Sequence, residues 1–247
     1  MDLGLKDRVY VVTGGTRGLG LATAQALVAD GARVVVSSRS LASVDAAVAS
    51  LGDNAKGVVG DNADPSTSER VLAVALESWD RLDGALISVG GPPGTKALGA
   101  SDEQWRQAFD SVFVGAVNLV RTLVPQLTRG AAIGLVLSTS VKTPISGIEI
   151  SNGLRPGLAV WAKYVADELG PRDIRVVTLM PGRILTDRIR ELAPDEGARE
   201  QLAADIPLRR IGDPAEFGRV AAFLLSPAAS YLTGLAVPVD GGALRSL

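Results

Sequence analysis

The sequence predicts an α/β fold, a doubly wound sheet of about seven parallel strands with helices on both faces. Strand-like apolar runs alternate with helix-like segments along all 247 residues. Most of these runs are continuously apolar, as expected for strands that are covered on both faces. The first run also passes through a glycine-rich turn into a helix. The seven candidate strands are 8–13, 33–37, 55–60, 84–89, 132–138, 174–180 and 235–239.

Residues that cap helices mark the helix starts between these strands. The signals are Ser40, Asp64-Pro65 with Ser66 and Glu69, Ser101 with Gln104, and Asp213-Pro214 with Glu216. A helix over 101–128 carries apolar residues at helical spacing, which favours a core or subunit-interface face. Because no linker, repeat or low-complexity stretch interrupts the pattern, we expect a single domain over 1–247.

Composition excludes several classes of function. With 25 Lys and Arg against 27 Asp and Glu, the net charge of −2 and the lack of a basic stripe argue against nucleic-acid binding. The chain has no Cys and no His, which excludes disulfides, thiolate nucleophiles, histidine bases and Cys/His metal sites. No uninterrupted apolar run approaches about 18 residues, and the chain starts with a strand, so we expect no membrane partner and a cytoplasmic location.

The glycine-rich turn is the strongest functional signal. The string Thr13-Gly14-Gly15-Thr16-Arg17-Gly18-Leu19-Gly20 joins the first strand to the first helix. Glycines allow the tight turn and a close approach of a ligand, while the helix start presents free N–H groups that suit a phosphate. A plain glycine turn without a ligand is the alternative.

This Thr-Gly-x-x-x-Gly-x-Gly string, so close to the N-terminus, resembles the short-chain dehydrogenase/reductase family, whose members have a Rossmann-type fold and bind a nicotinamide dinucleotide. The resemblance extends along the whole chain. It implies that these turn residues contact the cofactor: Gly14, Thr16, Arg17, Gly18, Leu19 and Gly20.

The end of the second strand indicates which cofactor is used. Ser38-Arg39 lies about 20 residues past the glycine turn, where an acidic residue would bind the ribose of NAD and an Arg accepts the extra phosphate of NADP. Arg39, helped by Arg17, therefore favours NADP(H). The alternative is that both are solvent-facing charges.

The resemblance implies further cofactor contacts at the ends of later strands. Asp61 and Asn62 would contact the adenine, although Asp61 could be only a loop residue. The family's Asn-Asn-Ala-Gly is replaced by Ile-Ser-Val-Gly, which leaves the backbone of Val89 and Gly90 near the ribose. After the sixth strand, the family pattern implies contacts with the nicotinamide end from Pro181, Gly182, Ile184 and Thr186.

The catalytic positions of the family carry unusual residues. The strand-end serine is Ser138, with Ser140 as a second candidate. The family's Tyr and Lys, thirteen and seventeen residues further on, are replaced by Ser151 and Arg155, and its Asn by Val112.

These replacements change the acid chemistry that the site can offer. A phenol has a pKa near 10 that a neighbouring Lys can lower, whereas a serine hydroxyl is far less acidic. Arg155 would hold positive charge and hydrogen-bond the ribose. The proton would come from solvent, Ser151 or Lys142. Pro156-Gly157 disfavours the helix that would pair Ser151 with Arg155.

The predicted function is an NADP(H)-dependent oxidoreductase acting on a carbonyl/alcohol pair. The strings around 140–155 resemble 3-oxoacyl-(acyl-carrier-protein) reductases, so a 3-oxoacyl thioester is a candidate substrate. The alternative is a sensor or assembly protein that binds NADP(H) without turnover.

The resemblance also implies a substrate lid over 184–211 and a homotetramer or homodimer. In the lid region Arg183, Arg188 and Arg209 are candidates to meet an anionic substrate, or else belong to a solvated helix face.

Overall fold

The computed structural model describes residues 2–92, 94–96 and 98–246. Its seven strands form one parallel sheet in the order β3-β2-β1-β4-β5-β6-β7. The strands are β1 Val9–Thr13, β2 Arg33–Ser38, β3 Ala55–Val59, β4 Gly84–Ser88, β5 Ala132–Val136, β6 Arg175–Pro181 and β7 Leu235–Val239. The predicted doubly wound parallel sheet is therefore confirmed.

Helices follow or connect the strands. They are α1 Gly18–Ala29, α2 Leu41–Leu51, α3 Pro65–Trp79, α4 Asp102–Ala108, α5 Gly115–Leu123, α6 Glu149–Leu169, α7 Asp187–Leu192, α8 Glu196–Ala203 and α9 Pro214–Leu225. The predicted caps are confirmed: Ser40 and Asp64 each accept a backbone N–H of the first turn, and Ser101 and Asp213 form capping boxes. Local side-chain chemistry thus sets these four helix starts.

The sheet separates two apolar cores. Val9 and Val11 of β1 point to one face, where α3, α5 and α6 pack to form the first core. Tyr10 and Val12 point to the other face, where α1, α2 and α9 pack to form the second core. Because successive side chains of a strand alternate between faces, continuous Val-rich strands supply both cores at once.

The functional edge of the sheet is set where the strand order reverses, between β1 and β4. Thr13, which is fully buried at the end of β1, accepts the N–H of Ser88 at 3.1 Å and donates to its carbonyl at 3.3 Å. These bonds hold the carboxyl ends of the two strands in register. The crevice outside such a reversal is where open α/β sheets bind ligands.

Helix α6 is continuous from Glu149 to Leu169, although Pro156-Gly157 disfavours a helix at that point. The proline removes only the hydrogen bond that would run to the carbonyl of Asn152. Burial of Leu154, Leu158 and further apolar residues of α6 in the core outweighs that loss. As a result, residues 151 and 155 lie on one face of the helix.

The predicted helix over 101–128 is observed as a continuous helical segment from Asp102 to Gln126, with a π-helical stretch at Phe109–Val114. By length and composition alone it is apolar enough to cross a bilayer. Its apolar stripe, however, includes the fully buried Ala116 and Leu123 of the first core. We therefore attribute its composition to core packing.

A buried carboxylate joins the opposite, amino edge of β1 and β4. Asp83 is fully buried and accepts hydrogen bonds from the N–H of Val9 at 2.9 Å, Thr128 Oγ1 at 3.1 Å and two arginine side chains, Arg8 and Arg81. Its oxygens accept from donors in three segments of the chain, at residues 8–9, 81 and 128. Such a group is costly to remove because its partners lose their acceptor.

We expect Asp83→Ala to lower the free energy of unfolding by about 3 kcal/mol, because it leaves the Val9 N–H and two guanidiniums without this acceptor. Urea denaturation measures the change. Asp53→Ala, at an exposed position, is the control and should change stability by less than about 0.5 kcal/mol. Equal, small effects in both variants would contradict the structural role of Asp83.

Candidate active site

The glycine-rich turn lies at the carboxyl end of β1 and forms the start of α1. Gly14 and Gly18 have φ values of 58° and 53°, in the left-handed region that favours glycine, and a side chain on Gly20 would collide with the carbonyl of Gly14. No side chain caps the N-terminus of α1. Its first N–H groups are therefore available to a phosphate, as the sequence analysis proposed.

Thr186, just before α7, lies opposite the glycine-rich turn, next to Gly18. A Cβ added to Gly18 would lie 3.4 Å from the Thr186 Cγ2 atom, so the glycine keeps a gap between the turn and Thr186. Pro181 ends β6 and Gly182 donates to the carbonyl of Val239 at 3.0 Å. The side chain of Ile184 is buried in the second core, so only its backbone can face a cofactor.

The two arginines proposed for NADP lie at different ends of the crevice. Arg39 faces Asp61 at 3.9 Å, and both side chains are largely exposed. Arg17 faces Asp187 of α7 at 3.8 Å. Exposed pairs at such distances are weak and easily exchanged for a phosphate. Only Arg39 is on the side of Asp61, where the resemblance places the adenosine.

The loops after β3 and β4 contact each other beside the turn. The Asn62 amide donates to the carbonyl of Ser88 at 3.4 Å, and Asp61 accepts the N–H of Ala63 at 3.0 Å. Val89 is buried, whereas a side chain on Gly90 would meet nothing within 4 Å. The crevice is therefore open beside Gly90.

Arg155 is the central side chain of the site. Its Nε donates to Ser151 Oγ at 2.8 Å, and Nη1 donates to the carbonyls of Val136 and Leu137, both at 3.0 Å. Nη2 donates to the carbonyls of Val89 and Gly90, both at 3.4 Å. All five N–H groups are thus directed at protein oxygens.

These hydrogen bonds leave Arg155 without a free donor for the predicted contact with the ribose. The guanidinium reaches the carbonyls at the ends of β4 and β5, which a shorter Lys side chain with three donors could not all engage. A ribose hydroxyl would have to replace one of the two long Nη2 contacts. That contact stays a prediction.

The charge of Arg155 is buried and has no acidic partner among the described residues. The side chain is only 6% exposed, and burial together with the nearby Arg188 lowers its pKa to about 10. It is therefore still a cation at neutral pH. Its partners are four carbonyl oxygens and the Ser151 hydroxyl, none of which carries a net charge, so the site carries a positive potential.

The three serines of the site have different partners. Ser151 is buried and accepts the bond from Arg155, which leaves its own hydroxyl proton free to be donated. Ser138 accepts the N–H of Ser140 at 3.1 Å and so caps the short turn after β5. Ser140 Oγ is buried without a hydrogen-bond partner among the described residues.

Other candidate acids lie away from this group. Lys142 is exposed just after the turn that follows β5. Tyr10 is fully buried in β1 with its hydroxyl on the carbonyl of Leu225, and Tyr164 is 70% exposed on the outer face of α6. Val112, which stands where the family has an Asn, is buried in the core.

Among the described residues, no three His, Cys, Asp or Glu side chains converge to hold a metal ion.

One contact of the site could not be predicted from the sequence. The Nη1 atom of Arg188, on α7, lies where the Cβ of a side chain at position 91 would stand. The other two arginines proposed to meet an anionic substrate bond to backbone carbonyls: Arg183 donates to that of Leu202 and Arg209 to that of Ala204. The Gly90-Gly91 pair was the only sequence signal for this approach.

Comparison with known proteins places this geometry in a family. The enoyl-(acyl carrier protein) reductase family model matches residues 14–243. Human dehydrogenase/reductase SDR family member 4 is 34% identical over 245 residues, which cover 96% of this chain and 88% of the relative.

Two solved structures have the same fold along the whole chain. L-sorbose reductase from Gluconobacter frateurii, solved with NADPH and L-sorbose, superposes with a TM-score of 0.93 at 30% identity, with 100% of both chains covered. The 3-ketoacyl-(acyl-carrier-protein) reductase from Brucella melitensis, solved with NADH, superposes with a TM-score of 0.88 at 27% identity, with 97% of this chain and 99% of that chain covered. The chain belongs to the short-chain dehydrogenase/reductase family of oxidoreductases.

Proposed function

We propose that this protein is an NADP(H)-dependent oxidoreductase that interconverts a carbonyl and an alcohol through the pair Ser151 and Arg155. The observation that carries the proposal is the 2.8 Å hydrogen bond from Arg155 to Ser151. It lies where the family's Tyr and Lys are expected, at the carboxyl ends of β4 and β5. The same residues place a hydroxyl proton beside a fixed positive charge.

The described residues fit a nicotinamide dinucleotide. The uncapped start of α1 faces the gap between Gly18 and Thr186, which suits the diphosphate. Arg39 at the end of β2 supports NADP(H) over NAD(H), because a guanidinium binds a ribose phosphate in two-pronged fashion. The bound cofactor would supply or accept the hydride.

The protein's own task in reduction is to deliver a proton to the carbonyl oxygen. Ser151 can donate its hydroxyl proton, and the Arg155 Nε–H that it accepts stabilises the negative charge left on Oγ. Because Arg155 is held by four carbonyls, its charge need not reorganise during the reaction. Solvent in the open crevice beside Gly90 would then return the proton to Ser151.

The substrate oxygen also needs a donor to polarise it. Ser140 offers a buried hydroxyl with no partner among the described residues, whereas Ser138 already accepts a backbone N–H. This difference favours Ser140 over Ser138 for that role. A 3-oxoacyl thioester remains a candidate substrate through the resemblance to 3-oxoacyl-(acyl-carrier-protein) reductases.

We expect Arg39→Ala to weaken NADPH binding about 10–100-fold, because the ribose phosphate loses its charged partner. NADH binding should stay unchanged. Arg33→Ala is the matched control, since Arg33 begins the same strand and pairs with Asp7 at 2.9 Å. Cofactor fluorescence titration measures both affinities. Equal losses for NADPH and NADH would argue against the phosphate contact.

We expect Ser151→Ala to lower kcat by about 10²–10⁴-fold with an unchanged Kd for NADPH, because it removes the proton donor and leaves the crevice intact. NADPH consumption with a carbonyl panel, including a 3-oxoacyl thioester, gives the rate. Ser50→Ala, a helix serine of α2 bonded to the carbonyl of Ala47, is the control.

Full activity in Ser151→Ala would remove Ser151 from the mechanism and shift the proton source to solvent or Lys142. Tight NADPH binding without turnover by the unaltered protein would instead support the sensor function.

We also propose that the chain forms a homodimer or homotetramer through the outer face of α6. Val160 and Tyr164 lie four residues apart on this helix and are 73% and 70% exposed. Large apolar side chains at i and i+4 share a helix face. Such a patch favours contact with another protein surface.

The double variant Val160→Asp/Tyr164→Asp is expected to dissociate the oligomer to monomers, because each carboxylate would be buried unpaired in the interface. Light scattering after size-exclusion chromatography measures the mass. Leu41→Asp, at a leucine that is 62% exposed on α2, should keep the native mass. A monomeric native chain would contradict the proposal.

A further inference from the structure

Two guanidinium groups flank the segment after β4. Arg155 bonds to the carbonyls of Val89 and Gly90 from within the protein, and Arg188 lies against Gly91 from the lid. Arg155 is buried, whereas Arg188 is exposed. The two cations thus approach consecutive residues of the same segment.

Neither cation is neutralised by the described part of the chain. No described carboxylate lies within 4 Å of Arg155 or Arg188, although ten other arginines form such pairs. The neighbouring Asp187 is directed at Arg17 and Arg190 instead. Like charges that share a site favour binding of an anion.

Arg188 differs in this respect from the other lid arginines. Arg183 and Arg209 donate to the carbonyls of Leu202 and Ala204 within the lid. No hydrogen bond from the Arg188 side chain to a described residue is observed, and its Nη1 occupies the space that a side chain at Gly91 would need. Of these three arginines, Arg188 is the one whose guanidinium has no hydrogen bond to a described residue and is left for a ligand.

The position of Arg188 favours the reacting end of the crevice over the diphosphate. Thr186 faces Gly18 of the phosphate-binding turn, whereas Arg188 reaches the loop to which Arg155, the partner of Ser151, is bonded. An anion there would lie near the proposed proton donor.

We propose that Arg188 binds a carboxylate of the substrate, so that the carbonyl compounds reduced by this protein are oxo acids. The inference rests on the proposed function and specifies the substrate class of the same site. Arg188 is the binding residue, because a guanidinium fits a carboxylate in two-pronged geometry. Arg155 adds positive potential from below the loop without touching the substrate carboxylate.

The test compares Arg188→Gln with Arg190→Gln, which alters a neighbouring exposed arginine of α7 that pairs with Asp187. Each protein is assayed with NADPH and a panel of short 2-oxo and 3-oxo acids, each matched with its methyl ester, and with a 3-oxoacyl thioester. The unaltered protein should favour an acid over its ester by about 10–100-fold in kcat/KM. Arg188→Gln should abolish that preference, and Arg190→Gln should keep it.

Two results would overturn the inference while the proposed function stands. One is a preference of the unaltered protein for esters or for the thioester. The other is weaker NADPH binding in Arg188→Gln with an unchanged acid-to-ester ratio, which would assign the guanidinium to a cofactor phosphate.

A binding measurement decides the case in which no carbonyl is turned over, which would be a failure of the proposed function alone. The NADPH complex is titrated with 3-hydroxybutanoate and with its methyl ester, followed by cofactor fluorescence. Tighter binding of the acid that is lost in Arg188→Gln would support the anion site, and equal binding of acid and ester would overturn it.

Discussion

The hydrogen bonds of one buried guanidinium hold the candidate site together. Arg155 joins the ends of β4 and β5 to α6 through four carbonyls and one hydroxyl. These strands lie next to the point where the strand order reverses, which is where Thr13 fixes β1 to β4. The guanidinium therefore determines how the strand ends, Ser151 and the loop of Gly90 are placed relative to one another.

The same arrangement has an electrostatic consequence. A buried cation without a carboxylate costs stability, since its desolvation is offset only by the dipoles of four carbonyls and one hydroxyl. Burial lowers the pKa of Arg155 to about 10, so the charge persists at neutral pH. A protein that keeps such a charge at the carboxyl edge of its sheet has a site suited to developing negative charge or to an anion. The Ser151 hydroxyl accepts a hydrogen bond from this guanidinium, and a second cation, Arg188, lies nearby.

Local signals in the sequence were sufficient for most of the fold. Continuous apolar runs predicted all seven strands, and the cap residues Ser40, Asp64, Ser101 and Asp213 predicted helix starts because they act within one turn. Pro156 is the exception: its local preference disfavours a helix, but burial of the apolar residues of α6 in the core keeps the helix continuous there. The pairing of Ser151 with Arg155 followed from their spacing once the helix was continuous.

Contacts between distant segments could not be predicted. The acceptors of Arg155 are backbone carbonyls of two loops, which leave no side-chain pattern in the sequence. The approach of Arg188 to Gly91 joins segments almost a hundred residues apart, and the turning of Arg17 toward Asp187 depends on where α7 lies. These contacts distinguish Arg188, which lies against Gly91, from Arg183 and Arg209, which bond to the carbonyls of Leu202 and Ala204.

The most direct test of the central claim uses the unaltered protein. Fluorescence titration with NADPH and with NADH, followed by addition of a carbonyl panel, measures cofactor choice and hydride transfer in one sample. We predict tighter binding of NADPH and its stoichiometric oxidation by at least one carbonyl compound. Failure to bind either nucleotide would contradict the account and leave only the fold.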